Sequence, residues 1–262
     1  MPAMSQPVVK LESPDAAIAI LTLDRADKRN ALSLELIQKI TSAVMQAAGE
    51  PARRVLIVRG EGPAFCAGLD LLEASQAGAA EQSAEALAQM FEAICTSSLV
   101  TIAAAHGAAI GGGAGLVMAC DFVVAADDLK LGFPEVHRGL VAALVTAILQ
   151  RQVADRAARE LVLLGQTIDA ERARQIGLVN RVVPAEQIMD TALDLARQVC
   201  RGAPGAVVRS KRLLDELSPH PIRQELRRAI RYHLEARNSA EAEEGLRAFI
   251  EKRPPNWGAR SA

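Results

Sequence analysis

The sequence predicts an α/β fold whose C-terminal end is an all-helical lobe, and two patterns carry that expectation. Short apolar runs of strand length, at Ala17–Leu23, Val55–Arg59, Val100–Ala105 and Phe122–Ala126, alternate with longer Ala-rich stretches that have helical spacing. Beyond Pro204 the strand signal stops and helical runs continue to the end. The division expected from this change is a core over residues 1–200 and a helical lobe over residues 201–262.

The first helix is expected over Leu32–Ala48. Leu36, Ile37, Ile40 and Val44 share one face there, and the Ser33 hydroxyl is placed to cap its N-terminus. Gln76–Ala88, rich in Ala, Gln and Glu, reads as a flap rather than a linker. The lobe divides into Val207–Leu217, Ile222–Arg237 and Ala240–Lys252, separated by Ser218-Pro219-His220-Pro221 and by Asn238-Ser239. Asn238, three residues before Glu241, gives the last helix a capping-box-like start, and Pro254-Pro255 stops it.

Half of the 262 residues are apolar, enough for a sizeable core. With 30 basic and 31 acidic side chains there is no positive field to hold a nucleic-acid backbone. No apolar run reaches the length of a membrane span, and Met1–Lys10 lacks the pattern of a secretion signal, so the expected compartment is the cytoplasm. Cys66, Cys95, Cys120 and Cys200 show no metal-ligand spacing and read as reduced core thiols; no metal is expected.

Two glycine-rich segments each leave an apolar strand. In Gly60-Glu61-Gly62-Pro63-Ala64-Phe65-Cys66-Ala67-Gly68-Leu69-Asp70-Leu71, Gly68 can adopt angles closed to other residues and turn the Leu69 N–H into a site; the alternative is a tight strand-to-helix turn with no ligand. The second, Ala105-His106-Gly107-Ala108-Ala109-Ile110-Gly111-Gly112-Gly113-Ala114-Gly115, runs into a helix expected at Leu116–Cys120. It has neither the Gly-Lys-Ser/Thr of a phosphate loop nor GxGxxG spacing. Together the two turns can aim two N–H donors at one oxygen, an oxyanion hole.

These segments, with Leu23-Asp24-Arg25, Lys28-Arg29-Asn30-Ala31-Leu32, Cys120-Asp121, Phe133-Pro134-Glu135-Val136, Arg138-Gly139-Leu140, Gly177-Leu178-Val179-Asn180 and Phe249-Ile250-Glu251-Lys252-Arg253, resemble the crotonase superfamily of enoyl-CoA hydratases and isomerases nearly end to end. The resemblance implies a crotonase-like ββα spiral core with an α-helical C-terminal lobe used for oligomerisation, and assembly as a homotrimer or a dimer of trimers. It implies an acyl-CoA substrate, with coenzyme A entering as part of that substrate and no separate cofactor. The thioester oxygen would lie between the N–H groups of Leu69 and Gly112. Backbone around Arg29, Ala31 and Ala67 would hold the adenine end, with Asp70 beside it and Lys252 near the 3′-phosphate. Asp70 and Glu73 also read as solvated or helix N-terminal carboxylates, and Lys252 and Arg253 as helix C-terminal cations.

Classical hydratases of this family use two glutamates. Here the second is Glu135, and the first position holds Gly115. One carboxylate suffices to move a double bond, by taking a proton from C2 and returning it to C4. The resemblance therefore implies a hydratase/isomerase-type enzyme working through a thioester enolate with Glu135 as its acid/base. Three alternatives stay open: one-carboxylate hydration of a specialised substrate, a thioester hydrolase or decarboxylase using the same hole, and an acyl-CoA binder without turnover. His137, Phe249 and Trp257 read as packing or surface residues, and Arg138 as a possible salt-bridge partner of Glu135.

Overall fold

The computed structural model describes residues 7–74 and 79–257. Strands β1 (Val9–Glu12) and β2 (Ile18–Leu23) form an antiparallel pair, followed by α1 (Leu34–Gly49), β3 (Val55–Gly60), the short α2 (Leu71–Ala74) and α3 (Ala79–Cys95). Next come β4 (Val100–Ala105), β5 (Ala108–Ile110) and α4 (Gly112–Ala119), then β6 (Phe122–Ala126), β7 (Lys130–Gly132), a 3₁₀ turn at Pro134–Arg138 and α5 (Ala143–Leu149). The core closes with α6 (Asp155–Leu164), β8 (Thr167–Asp169), α7 (Ala170–Gln175), β9 (Arg181–Val183) and α8 (Ile188–Cys200), and the lobe is α9 (Pro204–Glu216), α10 (Ile222–Arg237) and α11 (Ala240–Glu251).

The large sheet has the order β1-β2-β3-β4-β6-β9, parallel from β2 onward, and the small one has the order β5-β7-β8. β4 enters the large sheet and β5 the small one before α4 returns; β6 and β7 repeat that step. This is the ββα spiral that the family resemblance implies. Its strands read as continuous apolar runs because both faces of the large sheet are covered. On β3, Leu56 and Val58 pack toward the core shared with α1, α3 and α4, and Val55 and Ile57 toward α8.

Ser33 caps α1 by accepting the Leu36 N–H at 3.2 Å, as its position predicts. Two expectations need correction. The helix after the second glycine segment begins at Gly112, not Leu116, and every residue of it is buried; tertiary burial overrides glycine's poor propensity. The last helix is capped by Ser239, whose hydroxyl accepts the Ala242 N–H at 3.1 Å. Asn238 keeps near-helical angles as the end of α10, whereas Ser239 is extended as a cap requires.

Of the expected flap, residues 76–78 lie outside the described residues, and Ala79–Ala88 is the start of α3 with Ala84 and Leu87 buried. The lobe folds back onto the core: α10 packs on α3 and α5, and α11 on the 3₁₀ turn. The approach at that turn is close, since a Cβ on Gly245 would stand 2.2 Å from the Arg138 carbonyl oxygen. Among the described residues no helix is long and apolar enough to cross a membrane.

Candidate functional site

The two glycine-rich turns come together through short parallel bridges. Cys66 donates its N–H to the Ala108 carbonyl and accepts that of Ile110, each at 3.0 Å. Leu32 donates to the Gly68 carbonyl at 2.8 Å, and Asp70 donates to the Leu32 carbonyl at 3.0 Å. An extended residue flanked by two such bonds presents its own N–H on the opposite side. The Leu69 N–H therefore points away from Leu32, and it donates to no described residue. Gly68, with φ +90°, makes the turn possible.

Gly111, with φ +52°, is the N-cap of α4, so the Gly112 N–H is the first of that helix and has no intrahelical acceptor. A Cβ on Gly112 would lie 3.8 Å from the Leu69 nitrogen, and one on Gly68 would lie 3.6 Å from the Gly112 nitrogen. Two uncommitted donors thus neighbour each other, one of them at the positive end of a helix.

Glu135 sits in the 3₁₀ turn after β7. A Cβ on Gly111 would come within 2.7 Å of its Oε1, so the bare backbone at Gly111 makes room for the carboxylate. The residue is half-buried as a whole, yet Oε2 is sealed from solvent and has no hydrogen-bond partner among the described residues. Burial pushes the carboxyl up to about 7, against the smaller opposing effects of its own backbone N–H and of Arg138. No ion pair joins it to Arg138. A carboxyl so tuned populates both acid and base forms at neutral pH.

Gly115 lies one turn into α4. A Cβ there would stand 2.5 Å from Phe91 Cζ and 2.6 Å from Val145 Cγ1, so apolar side chains fill the space that a side chain at 115 would enter. Gly115 does not line the cavity that holds Glu135. That cavity, of about 380 Å³, is bounded by both turns and by Leu71, Leu72, Leu87 and the stretch Leu140–Val145.

Arg29, Ala31, Ala67 and Asp70 line the same cavity, at the end bounded by the loop after β2. Arg29 and Asn30 hold left-handed angles, φ 51° and 54°, and Ala67 donates its N–H to the Arg29 carbonyl at 3.0 Å. The fully buried Asn30 fixes this loop: its Oδ1 accepts the Arg25 N–H, and its Nδ2 donates to the carbonyls of Glu61 and Ala64, all at 2.9 Å. Arg25 donates to the Ala31 carbonyl at 2.9 Å and pairs with Asp70 at 2.8 Å. The Asp70 carboxylate is thereby engaged within the protein while one edge of the residue faces the cavity. Glu73 accepts the Leu34 N–H at 3.0 Å, at the start of α1.

Lys252 is the left-handed C-cap of α11 and does not line this chain's cavity. Cys66 donates its thiol to the Asn30 carbonyl at 3.1 Å, and burial pushes that thiol up to about 12, which leaves it inert as a nucleophile. Among the described residues no cluster of His, Cys, Asp and Glu is suited to a metal ion.

Among the charged, histidine and aromatic residues that line the cavity, Lys28, Arg138, His233 and Phe249 escaped sequence reasoning as site residues. Phe249 is not simply a packing residue, since it borders the cavity beneath the Arg138 guanidinium, 4.7 Å from the ring centroid. His233 continues the stripe Ile222, Leu226 and Ala229 on α10, a spacing that marks it as inward-facing. His137 is exposed and packs toward Gly165 instead, where an added Cβ would lie 2.8 Å from its Nε2.

Residues 13–260 match the family described as enoyl-CoA hydratase/isomerase. The chain is 37% identical to a putative enoyl-CoA hydratase of Thermus thermophilus over 245 residues, covering 92% of this chain and 97% of that one. It is 33% identical to an enoyl-CoA isomerase/hydratase of Mycosarcoma maydis, covering 90% of each chain. Among solved structures, an enoyl-CoA hydratase from Mycobacterium avium superposes with a TM-score of 0.85 at 32% identity, covering 96% of this chain and 99% of that one.

Proposed function

Because the chain belongs to the enoyl-CoA hydratase/isomerase family, we propose that it moves a proton on an unsaturated acyl-CoA with Glu135 alone as acid and base. The thioester oxygen accepts from the Leu69 and Gly112 N–H groups, which stabilise the negative charge that forms as the C2 proton leaves. Donors of this kind contribute about 3–4 kcal/mol each when the oxyanion develops. Glu135 takes the proton from C2 of a β,γ-unsaturated thioester, and the electron pair moves through C3 to C4. The same carboxyl returns the proton to C4, giving the α,β-unsaturated product. The adenine end rests against the backbone at Arg29, Ala31 and Ala67, beside Asp70, and Lys252 reaches a coenzyme A phosphate across a subunit contact.

The observation that carries this reading is the filling of the space beside Gly115 by Phe91 and Val145, which leaves no second carboxylate to share the positioning of a water molecule. Hydration by one carboxylate is the second reading, favoured by the names of the relatives. A single absorbance assay of the conjugated enoyl thioester separates them. Gain of absorbance on trans-3-hexenoyl-CoA is the expected result, whereas loss on crotonyl-CoA without any gain on the hexenoyl ester would establish hydration. Release of free coenzyme A in either reaction would point to thioester hydrolysis. Binding of either ester with no change in absorbance and no coenzyme A release would mark a binder.

The assembly we infer is a trimer or a pair of trimers. The lobe exposes Leu213, Leu214 and Leu217, at 54, 71 and 73%, an apolar surface suited to contact between chains. Sedimentation equilibrium should give the mass of three or six chains; a monomer would overturn this. The four cysteines are free thiols, as suits the reducing cytoplasm, where cell fractionation should find the protein.

A further inference from the structure

We propose that Arg138 is a specificity residue that binds a carboxylate carried by the acyl chain, so that the preferred substrates are acyl-CoA esters ending in an acid rather than in a methyl group. This rests on the acyl-CoA reading above. Arg138 and Glu135 stand three residues apart in a 3₁₀ turn, a spacing that eclipses their side chains and sends both toward the cavity. The guanidinium lies over the Phe249 ring, yet among the described residues it makes no hydrogen bond and no ion pair. A half-buried cation without a counter-ion is unfavourable, and a planar fork of five donors fits a carboxylate through two parallel bonds. Glu135 is the nearby carboxyl that partly offsets its charge, but the two form no ion pair and burial shifts Glu135 itself toward its uncharged form.

The rest of the cavity argues in the same direction. Arg25 is already paired with Asp70, while Lys28 and Arg29 border the other end, beside the proposed adenine contacts. Arg138 instead precedes Leu140–Val145 in the chain, the apolar wall of the same cavity. His233 enters the same cavity from α10; burial, and then Arg237, hold its imidazole below the usual value, so it adds a neutral hydrogen-bonding group to the lining. An apolar pocket with a few convergent polar groups selects ligands by those groups.

The test measures affinity by calorimetry for unreactive saturated esters, so it does not depend on turnover. ω-Carboxyacyl-CoA esters of four, five and six carbons are compared with the neutral acyl-CoA of equal length, using the intact protein and Arg138→Gln. At one length or more the acid should bind at least tenfold more tightly than its neutral partner. Arg138→Gln should erase that ratio while changing the neutral ester's affinity less than threefold. Equal affinities at every length in the unaltered protein would overturn the proposal even if the variant failed to fold. Equal weakening of acid and neutral esters would assign Arg138 to the coenzyme A phosphates instead and overturn it as well. Failure of the isomerisation assay would leave this preference intact, which keeps the two readings separable.

Discussion

Glu135→Gln is expected to lower turnover by about 10²–10⁴-fold, the usual contribution of a positioned proton-transfer group, and at the same time to stabilise the fold at pH 8. The second effect follows from the burial of the carboxyl. Its ordinary value is 4.5, and in the folded protein it is pushed up to about 7. Below pH 4.5 the group is protonated whether the chain is folded or not, and it costs nothing. Between those values the folded protein holds a proton that the unfolded chain releases, so stability falls as pH rises. Above about 7 the folded protein carries a buried anion and the full cost is present. At about 1.4 kcal/mol per pKa unit, that cost approaches about 3 kcal/mol at pH 8. Glutamine is nearly isosteric and neutral, so the variant should resist urea better than the unaltered protein at pH 8, with the advantage vanishing near pH 4.5. Full activity in the variant would remove Glu135 from the chemistry. A stability difference independent of pH would mean that the carboxyl is not buried as an acid.

The sequence makes the backbone of this site legible and leaves its surroundings hidden. β4 and β6 fall where their apolar runs end, because a strand covered on both faces admits few polar residues within it. Gly68 and Gly111 lie in glycine-rich turns that leave apolar strands, and glycine takes their positive φ without strain, so the turns are legible from sequence while the pairing of the Leu69 and Gly112 donors comes from the family resemblance. Ser33 likewise reveals the start of α1 through local hydrogen-bond chemistry. What stays illegible depends on residues distant in the chain. The burial of Glu135 comes from helices and loops that no spacing rule brings together. Phe91 meets Gly115 only because α3 crosses α4. Arg138, three residues after Glu135, reads as a natural partner for it until the turn sets the two side by side without pairing them. The start of α4 was masked because glycine propensity opposes a helix that burial enforces.

Gly115→Glu, which restores the number of carboxylates found in two-glutamate hydratases, is expected to destabilise the protein by about 3–5 kcal/mol and to confer no added hydration of crotonyl-CoA. The Cβ alone would press to 2.5 Å from Phe91 and 2.6 Å from Val145, and both side chains are buried in a packed core. Gly115→Ala isolates that overlap. Overpacking costs about 1–3 kcal/mol, offset by roughly 1 kcal/mol because alanine favours a helix interior. The glutamate adds an acid among apolar walls, outside the cavity that holds Glu135. Phe91→Ala alone should cost about 3–5 kcal/mol by leaving a void. Combined with Gly115→Glu, the two changes relieve each other, since the void accepts the new side chain. The double variant should therefore be more stable than the sum of the single losses by at least about 1 kcal/mol, a coupling that urea unfolding of all four proteins measures directly. Additive losses would mean that Phe91 does not occupy the place of the missing acid. A Gly115→Glu protein that unfolds at the same urea concentration as the unaltered chain would show that the α4 wall is open, and with it that a second carboxylate was lost from this site without anything taking its place.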